Sequence, residues 1–291
     1  MARLAERLAQ IFSWACALAV PGLLLAFLGY LVMRGGPTLG PELLFGDVPA
    51  DRVLFQGAPV FDGIWPAVLG TLWLVVLSTL MAAPVGVLAG AYLAEYASGR
   101  LKTALVFGVD VLAGIPSIIM GLFGFTLILF LRDAIDPQAN VCLLLAAGCL
   151  ALLVLPYLVN AARTSFESLP RSLRLTGESL GLTRNQIIFH ILFPAASRGI
   201  LGGLVLSIGR AAEDTAVILM TGAVAGAAAG PALFGKFAAL PFQIYYLAAE
   251  HQNRQELDMA FGAALVLLSM TSVMFFAASL LRRSLEKRWT T

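Results

Sequence analysis

Six stretches of this chain are apolar for long enough to cross a membrane: roughly Ile11–Met33, Ile64–Leu93, Leu105–Leu131, Val141–Ala162, Ile200–Val224 and Met259–Leu281. A helix needs about 20 apolar residues to cross a hydrocarbon core about 30 Å thick. In that medium every backbone N–H and C=O must be satisfied internally, which leaves helices and closed barrels. Barrel strands would alternate apolar and polar residues over about ten positions, and no segment here does so. Composition agrees, with 59% of the 291 residues hydrophobic, 12% charged and a mean hydropathy of +0.88. A soluble domain carries about 25% charged residues, so this chain has too few to cover a water-facing surface. A soluble enzyme is excluded. The expected fold class is all-α integral membrane, with six transmembrane helices in one domain over residues 1–291. The first run follows Arg3 and Arg7 as a signal peptide would. It is longer than an h-region and no small-residue cleavage site closes it, so it counts as a span.

Lys and Arg then orient the spans, because cytoplasmic segments hold them in excess. With the N-terminus inside, thirteen fall on the cytoplasmic side: Arg3, Arg7, Arg100, Lys102, Arg163, Arg171, Arg174, Arg184, Arg198, Arg282, Arg283, Lys287 and Arg288. Five fall outside (Arg34, Arg52, Arg132, Lys236 and Arg254), and Arg210 sits within a span. Both termini are therefore expected in the cytoplasm. Residues 163–198 form the longest and most basic cytoplasmic loop. Ala225–Asp258 is broken by Gly230, Pro231 and Pro241 and reads as re-entrant or interfacial, a form tolerated only when buried against protein.

Several familiar chemistries are missing. Gly230-Pro-Ala-Leu-Phe-Gly235-Lys236-Phe237 has the spacing of a phosphate-binding loop, but Phe237 stands where a Ser or Thr should reach magnesium. No strand precedes it and no helix opens at the lysine, as that mechanism requires. Cys16, Cys142 and Cys149 lie in spans and read as small packing residues. His190 and His251 fall on opposite sides of the membrane and share no metal. Any energised work must draw its energy from elsewhere.

Charge inside the fifth span is the chemically loaded feature. Arg210, Glu213 and Asp214, followed by Thr215, fall within a few positions. One central Arg or Asp costs roughly 2.5–3.5 kcal/mol in insertion experiments. On a continuous helix Arg210 would share a face with Glu213 and Asp214 and pair locally. Two readings stand: a structural clamp between helices, or a polar station on a permeation path. For the second, a guanidinium matches a tetrahedral oxyanion bidentately. A carboxylate beside it would favour an anion that carries a proton. Asp110, near the start of the third span, is a weaker candidate whose alternative is a charge at the boundary. Gly114, Pro116 and Pro84 are places where spans could bend or pack closely.

In the basic loop, Leu175-Thr-Gly-Glu-Ser-Leu-Gly181 precedes Leu182 to Pro194. The pattern predicts a short helix, a glycine stop, and an amphipathic helix (Ile187, Ile188, Ile191, Leu192) ended by proline. A helix lying on lipid headgroups would read the same way. The segment resembles the cytoplasmic coupling loop of ABC importer permeases, E-A-A-x-x-x-G followed after nine residues by I-x-L-P. Gly181, Ile191, Phe193 and Pro194 fall at the family positions, while Leu175-Thr176-Gly177 replaces E-A-A. Asp62 to Thr71, Ala94-Glu95-Tyr96-Ala97, Leu112 to Gly124, Leu240 to Tyr245 and Arg282 to Trp289 resemble the A-type (PstA-like) permeases of phosphate importers. The family's R-A-x-G-E-T aligns with Arg210 to Thr215, with Glu213 in place of glycine and Asp214 in place of glutamate.

The resemblance implies a type I importer architecture: a permease core at about 63–282, an added N-terminal span at 11–33, and a coupling loop at 163–198. It implies an ATP-driven phosphate importer subunit of the bacterial inner membrane, not itself an enzyme. Its partners would be a homologous PstC-like permease, two PstB-like ATPases and an extracytoplasmic PstS-like phosphate-binding protein, besides the bilayer and no nucleic acid. ATP and magnesium would sit on the ATPases and no cofactor on this chain. Arg210, Glu213, Asp214 and Thr215 are the expected substrate path; Leu175, Gly177, Glu178, Gly181, Ile191 and Pro194 are the expected coupling residues. The alternatives are a permease for another oxyanion (sulfate, molybdate or phosphonate), as in a divergent paralogue, or a secondary transporter. The second would need inverted repeats, which the sequence does not display. A membrane scaffold would leave the loop and the Arg210 cluster without a purpose.

Overall fold

Close approach of helices organises the molecule. The computed structural model describes residues 2–135, 137, 140–224 and 232–289, and among them six helices are long and apolar enough to span a bilayer. Lipid tails are as apolar as leucine, so helices in a bilayer associate through packing of small residues. The largest helix pair joins α4 (Trp65–Glu95) to α7 (Leu143–Glu167). Gly86 and Gly90 on α4 form a Gly-x-x-x-Gly face, and a Cβ at either would stand 2.6 Å from Leu158 Cβ or 2.5 Å from Ala162 Cβ. On its other side α7 receives α10 (Phe193–Glu213), where Gly199 and Gly203 meet Ser165 and Ala161. Seated between two glycine faces, α7 is the most buried spanning helix.

The other helices are peripheral. α1 (Ala2–Gly35) touches α13 (Arg254–Trp289), where Arg34 reaches Asp258 at 3.0 Å and lies over the Phe261 ring. Two short helices, α2 (Pro41–Phe45) and α3 (Ala50–Gln56), fold over a small core of Phe45, Val53 and Val60.

Two expected spans are corrected. The run Leu105–Leu131 is not one helix: α5 (Gly99–Ala113) ends at Gly114 and α6 (Ser117–Ala134) starts after Pro116. Proline lacks an N–H and pushes the preceding residue out of helical geometry. The apolar run masks that break because hydropathy carries no backbone information. Pro84, by contrast, lies inside an uninterrupted α4. The run Ile200–Val224 also divides. α10 stops at Glu213, Asp214 turns extended (φ −74°, ψ 117°), and α11 occupies Ala216–Thr221. The Asp214 carboxylate accepts a hydrogen bond from Val217 N at 2.8 Å, an aspartate capping a helix start.

The basic segment 163–198 is helical through most of its length. Arg163 belongs to α7; α8 covers Arg171–Ser179 and α9 covers Arg184–Ile187. Pro194 does not end the second helix, contrary to expectation. A π turn at Ile188–Leu192 carries α9 directly into α10, with Phe193 N bonded to Ile188 O. A proline ring collides with the carbonyl four residues back in an α-helix, and the wider turn removes that collision.

Of the expected re-entrant element, residues 225–231, including Gly230 and Pro231 of the loop-like motif, lie outside the described residues. Beyond them Phe237 forms a parallel bridge with Ala223, and Phe237 to Leu240 are buried. Leu240 N bonds Thr71 Oγ1 at 2.8 Å, which satisfies irregular backbone at depth. No helix opens at Lys236; α12 begins at Leu240 and runs to Glu250.

Gly90→Val overpacks the α4–α7 contact and should destabilise by about 1–3 kcal/mol. Thermal melting of the purified protein should fall for this variant and not for Gly108→Ala, where nothing lies within 4 Å. Asp214→Ala should cost about 1 kcal/mol through loss of the cap, while Glu213→Ala, on an exposed position, should leave the melting temperature unchanged.

Candidate functional site

The charged cluster does not assemble as the expected ion pair. Because α10 ends at Glu213, Asp214 leaves the face it would have shared with Arg210 and caps α11 instead, only 4% exposed. Glu213 is exposed, and Thr215 lies at the start of α11 without a side-chain cap bond. Among the described residues no salt bridge includes Arg210, and its buried Nε has no hydrogen-bond partner. A half-buried guanidinium in this state is short of an acceptor. A buried charge is normally paired, and a planar donor fork without a carboxylate is ready for an external oxyanion.

A cavity with several hydroxyl and amide groups in a mostly apolar wall opens beside Leu206, one helical turn before Arg210. It has a volume of about 530 Å³ and is lined by Tyr157, Asn160, Thr164 and Ser165 of α7, Ser168 just beyond it, Ala113 of α5 and Leu206 of α10. Leu206 and Arg210 are four residues apart and share a face of α10. Asn160 Oδ1 and Arg163 Nε are likewise buried without partners. The sequence reading passed over these α7 groups. Their signal was present as a stripe at four-residue spacing, Asn160, Thr164 and Ser168, at the polar end of an otherwise apolar run. A larger cavity of about 780 Å³ is walled by residues such as Met81, Phe123, Leu152 and Phe234. Neither lining carries a charged group; the smaller one sets the amide of Asn160 and the hydroxyls of Tyr157, Thr164, Ser165 and Ser168 beside the Arg210 face of α10, which suits it better to an oxyanion. Asp110 is exposed on α5. Among the described residues no group of three His, Cys, Asp or Glu is placed to hold a metal.

The residues expected to couple divide into two sets. Leu175, Glu178 and Gly181 are exposed. Gly181 turns the chain between α8 and α9 at φ +73°, a conformation natural to glycine. Gly177 is buried, and a Cβ there would come within 2.7 Å of Ile187 and 3.1 Å of Ile191, so α8 lies directly on α9. Pro194 sits half-buried in the first turn of α10. A capping box between Thr183 and Gln186 starts α9. Below the loop, Ile187, Ile188 and Leu192 join Val87 and Ala91 of α4 and Ala162 and Phe166 of α7 in one apolar cluster.

The sequence reading also missed what ties this loop down. Arg174 of α8 makes a two-pronged bond to the Glu95 carboxylate, Nη2 to Oε1 at 2.5 Å and Nε to Oε2 at 3.1 Å. It also donates to Phe166 O at 3.0 Å and Leu169 O at 3.1 Å at the end of α7. The hydrogen bonds that Arg174 donates to the Glu95 carboxylate raise its pKa further above its already basic value. Arg184 of α9 donates to the Glu95 carbonyl and covers the Tyr96 ring at 4.7 Å, and Tyr96 donates its hydroxyl to Asn185.

Comparison with known proteins fits this architecture. A family profile described as binding-protein-dependent transport system inner membrane component matches residues 86–291. A phosphate transport system permease protein, PstA 1 of Mycobacterium tuberculosis, is 33% identical over 220 residues, covering 76% of this chain and 70% of that one. PstA of Pasteurella multocida is 32% identical over 249 residues, covering 85% and 84%. Among solved structures, a bacterial alginate ABC transporter in complex with an alginate pentasaccharide-bound periplasmic protein superposes with a TM-score of 0.61 at 19% identity, over 93% of this chain and 95% of that one. The inward-facing MetNI methionine ABC transporter gives 0.59 at 17%, over 75% and 94%. By the family match, and with six spanning helices arranged as in ABC importers, this chain belongs to the binding-protein-dependent transport system inner membrane components.

Proposed function

We propose that this permease subunit moves inorganic phosphate inward across the cytoplasmic membrane as half of a heterodimeric pore. A PstC-like homologue forms the other half. Two PstB-like ATPases hold ATP and magnesium and hydrolyse the nucleotide, and a PstS-like binding protein delivers the anion from outside. Both termini face the cytoplasm, in keeping with the placement of Lys and Arg. This chain is a conduit and lever rather than an enzyme, and binds no cofactor. The names carried by its relatives support phosphate as the cargo.

One observation carries the chemistry: the Arg210 guanidinium stands at the end of a membrane helix with no carboxylate partner among the described residues. An unpaired guanidinium there binds an oxyanion through charge-assisted hydrogen bonds and leads it toward the cavity lined by Asn160 and Thr164. ATP-driven closure of the ATPases shifts the balance between outward- and inward-open states, and the segment Arg171–Pro194 conveys that movement. The exposed Leu175, Glu178 and Gly181 are its outer surface, and Gly177 against Ile191 makes it one unit.

Arg210→Gln should lower phosphate uptake in reconstituted vesicles by about 10–100-fold, the worth of a hydrogen bond to a charged group at roughly 1.5–3 kcal/mol, while assembly with the partner subunits survives. Loss of assembly would instead identify a clamp. Uptake measured with phosphate, sulfate and molybdate in competition fixes the cargo, and preference for either of the latter overturns the phosphate assignment. Gly181→Pro should leave ATP hydrolysis in place and separate it from transport; normal coupled uptake would count against the role of the loop.

A further inference from the structure

The loop is gripped at one place from both of its arms. Arg174 lies on α8 before Gly181 and Arg184 on α9 after it, and both reach Glu95, the last residue of α4. The Glu95 side chain is 8% exposed and that of Arg174 25%, so the contact is largely shielded from the water that weakens surface pairs. The same guanidinium holds two carbonyls at the end of α7, and α7 is seated against Gly86 and Gly90 of α4. Two paths therefore leave the loop. One is covalent at both ends, since α8 follows α7 after only three residues and α9 continues through the π turn into α10, which carries Leu206 and Arg210. The other is electrostatic and reaches α4, which gives no residue to the cavity but packs along α7, whose Tyr157, Asn160 and Thr164 line it beside Leu206.

We propose that Glu95 and Arg174 are positioning residues of transport: the pair makes α4 follow the coupling loop, so that α4 moves together with α7 and α10, which carry the Leu206–Asn160 cavity, when the ATPases close. This rests on the coupling role given above to the segment Arg171–Pro194. Without the pair, a displacement of the loop would reach α7 and α10 along the backbone and would leave α4 behind. The apolar cluster of Ile187, Ile188 and Leu192 against Val87 and Phe166 keeps the loop seated in either case, because apolar packing is non-directional and survives a slide. The charged pair is directional and does not. Its loss therefore separates the two paths while the subunit stays folded.

The test uses the complete transporter, reconstituted with its partner permease, ATPases and binding protein. In Glu95→Cys/Arg174→Cys, with Cys16→Ser to remove the exposed native thiol, phosphate uptake per ATP hydrolysed should fall about tenfold with hydrolysis retained. A short reducible bis-thiosulfonate linker between the two introduced thiols should restore the ratio to within about twofold of wild type, and reduction should lower it again. Single-cysteine variants given the same reagent should not recover. An unlinked double variant with a wild-type ratio overturns the proposal. So does a complex that fails to assemble whether linked or not, which would make the pair purely architectural. Gly181→Pro in the same vesicles separates the two levels. If it uncouples and the double variant does not, the pair is wrong and the loop stands. If neither uncouples, the role of the loop itself has failed.

Discussion

Everything in this molecule hangs on the seating of α7 between two glycine faces. In a bilayer there is no hydrophobic gain in bringing two apolar helices together, so contact must come from surfaces close enough for dispersion and backbone dipoles to act. Gly86 and Gly90 on one side and Gly199 and Gly203 on the other provide that approach. With α7 fixed, the ends of α4 and α10 arrive beside one another at the basic end, where the loop docks. Further in, the polar stripe of α7 faces Leu206 across a cavity. The Arg210 cavity and the docked loop are thus two ends of one packed triple.

Irregular backbone is spent where it has a use. The breaks at Gly114–Pro116 and at Asp214 interrupt apolar runs that could have continued as helices. Each leaves backbone groups that must be satisfied at depth, and the Asp214 carboxylate does so by capping α11. The same turn denies Arg210 its intrahelical partner. A residue that reads as the neutraliser of the arginine is engaged elsewhere, and this leaves the guanidinium competent for an anion. The π turn ahead of Pro194 has the reverse effect: it preserves continuity where a proline would have ended it, and so joins the loop to the fifth span.

Much of this was legible in the chain, and the parts that were not share a cause. Long apolar runs disclosed the spanning helices, and the pattern around Gly181 disclosed two short helices joined by a glycine turn. Helix ends inside those runs stayed hidden, since hydropathy is blind to where a backbone turns; Leu105–Leu131 and Ile200–Val224 were both read as too continuous. Arg210 stood out for its cost, but its local pairing was inferred from i+3 and i+4 spacing, which holds only while the helix continues. Glu95 and Arg174 are 79 positions apart. Nothing local in either residue announces the other.

What the sequence determined by itself was the solvent of this protein and the number of its crossings, because transfer of apolar side chains from water to hydrocarbon is additive along a chain. It also marked Arg210 as anomalous, because the desolvation of a charge belongs to the residue itself. Only the tertiary structure decided which charges are paired and which are left open. Ion pairing and hydrogen bonding fall away within a few ångströms and depend on direction, and those distances exist only once α4, α7 and α10 have packed.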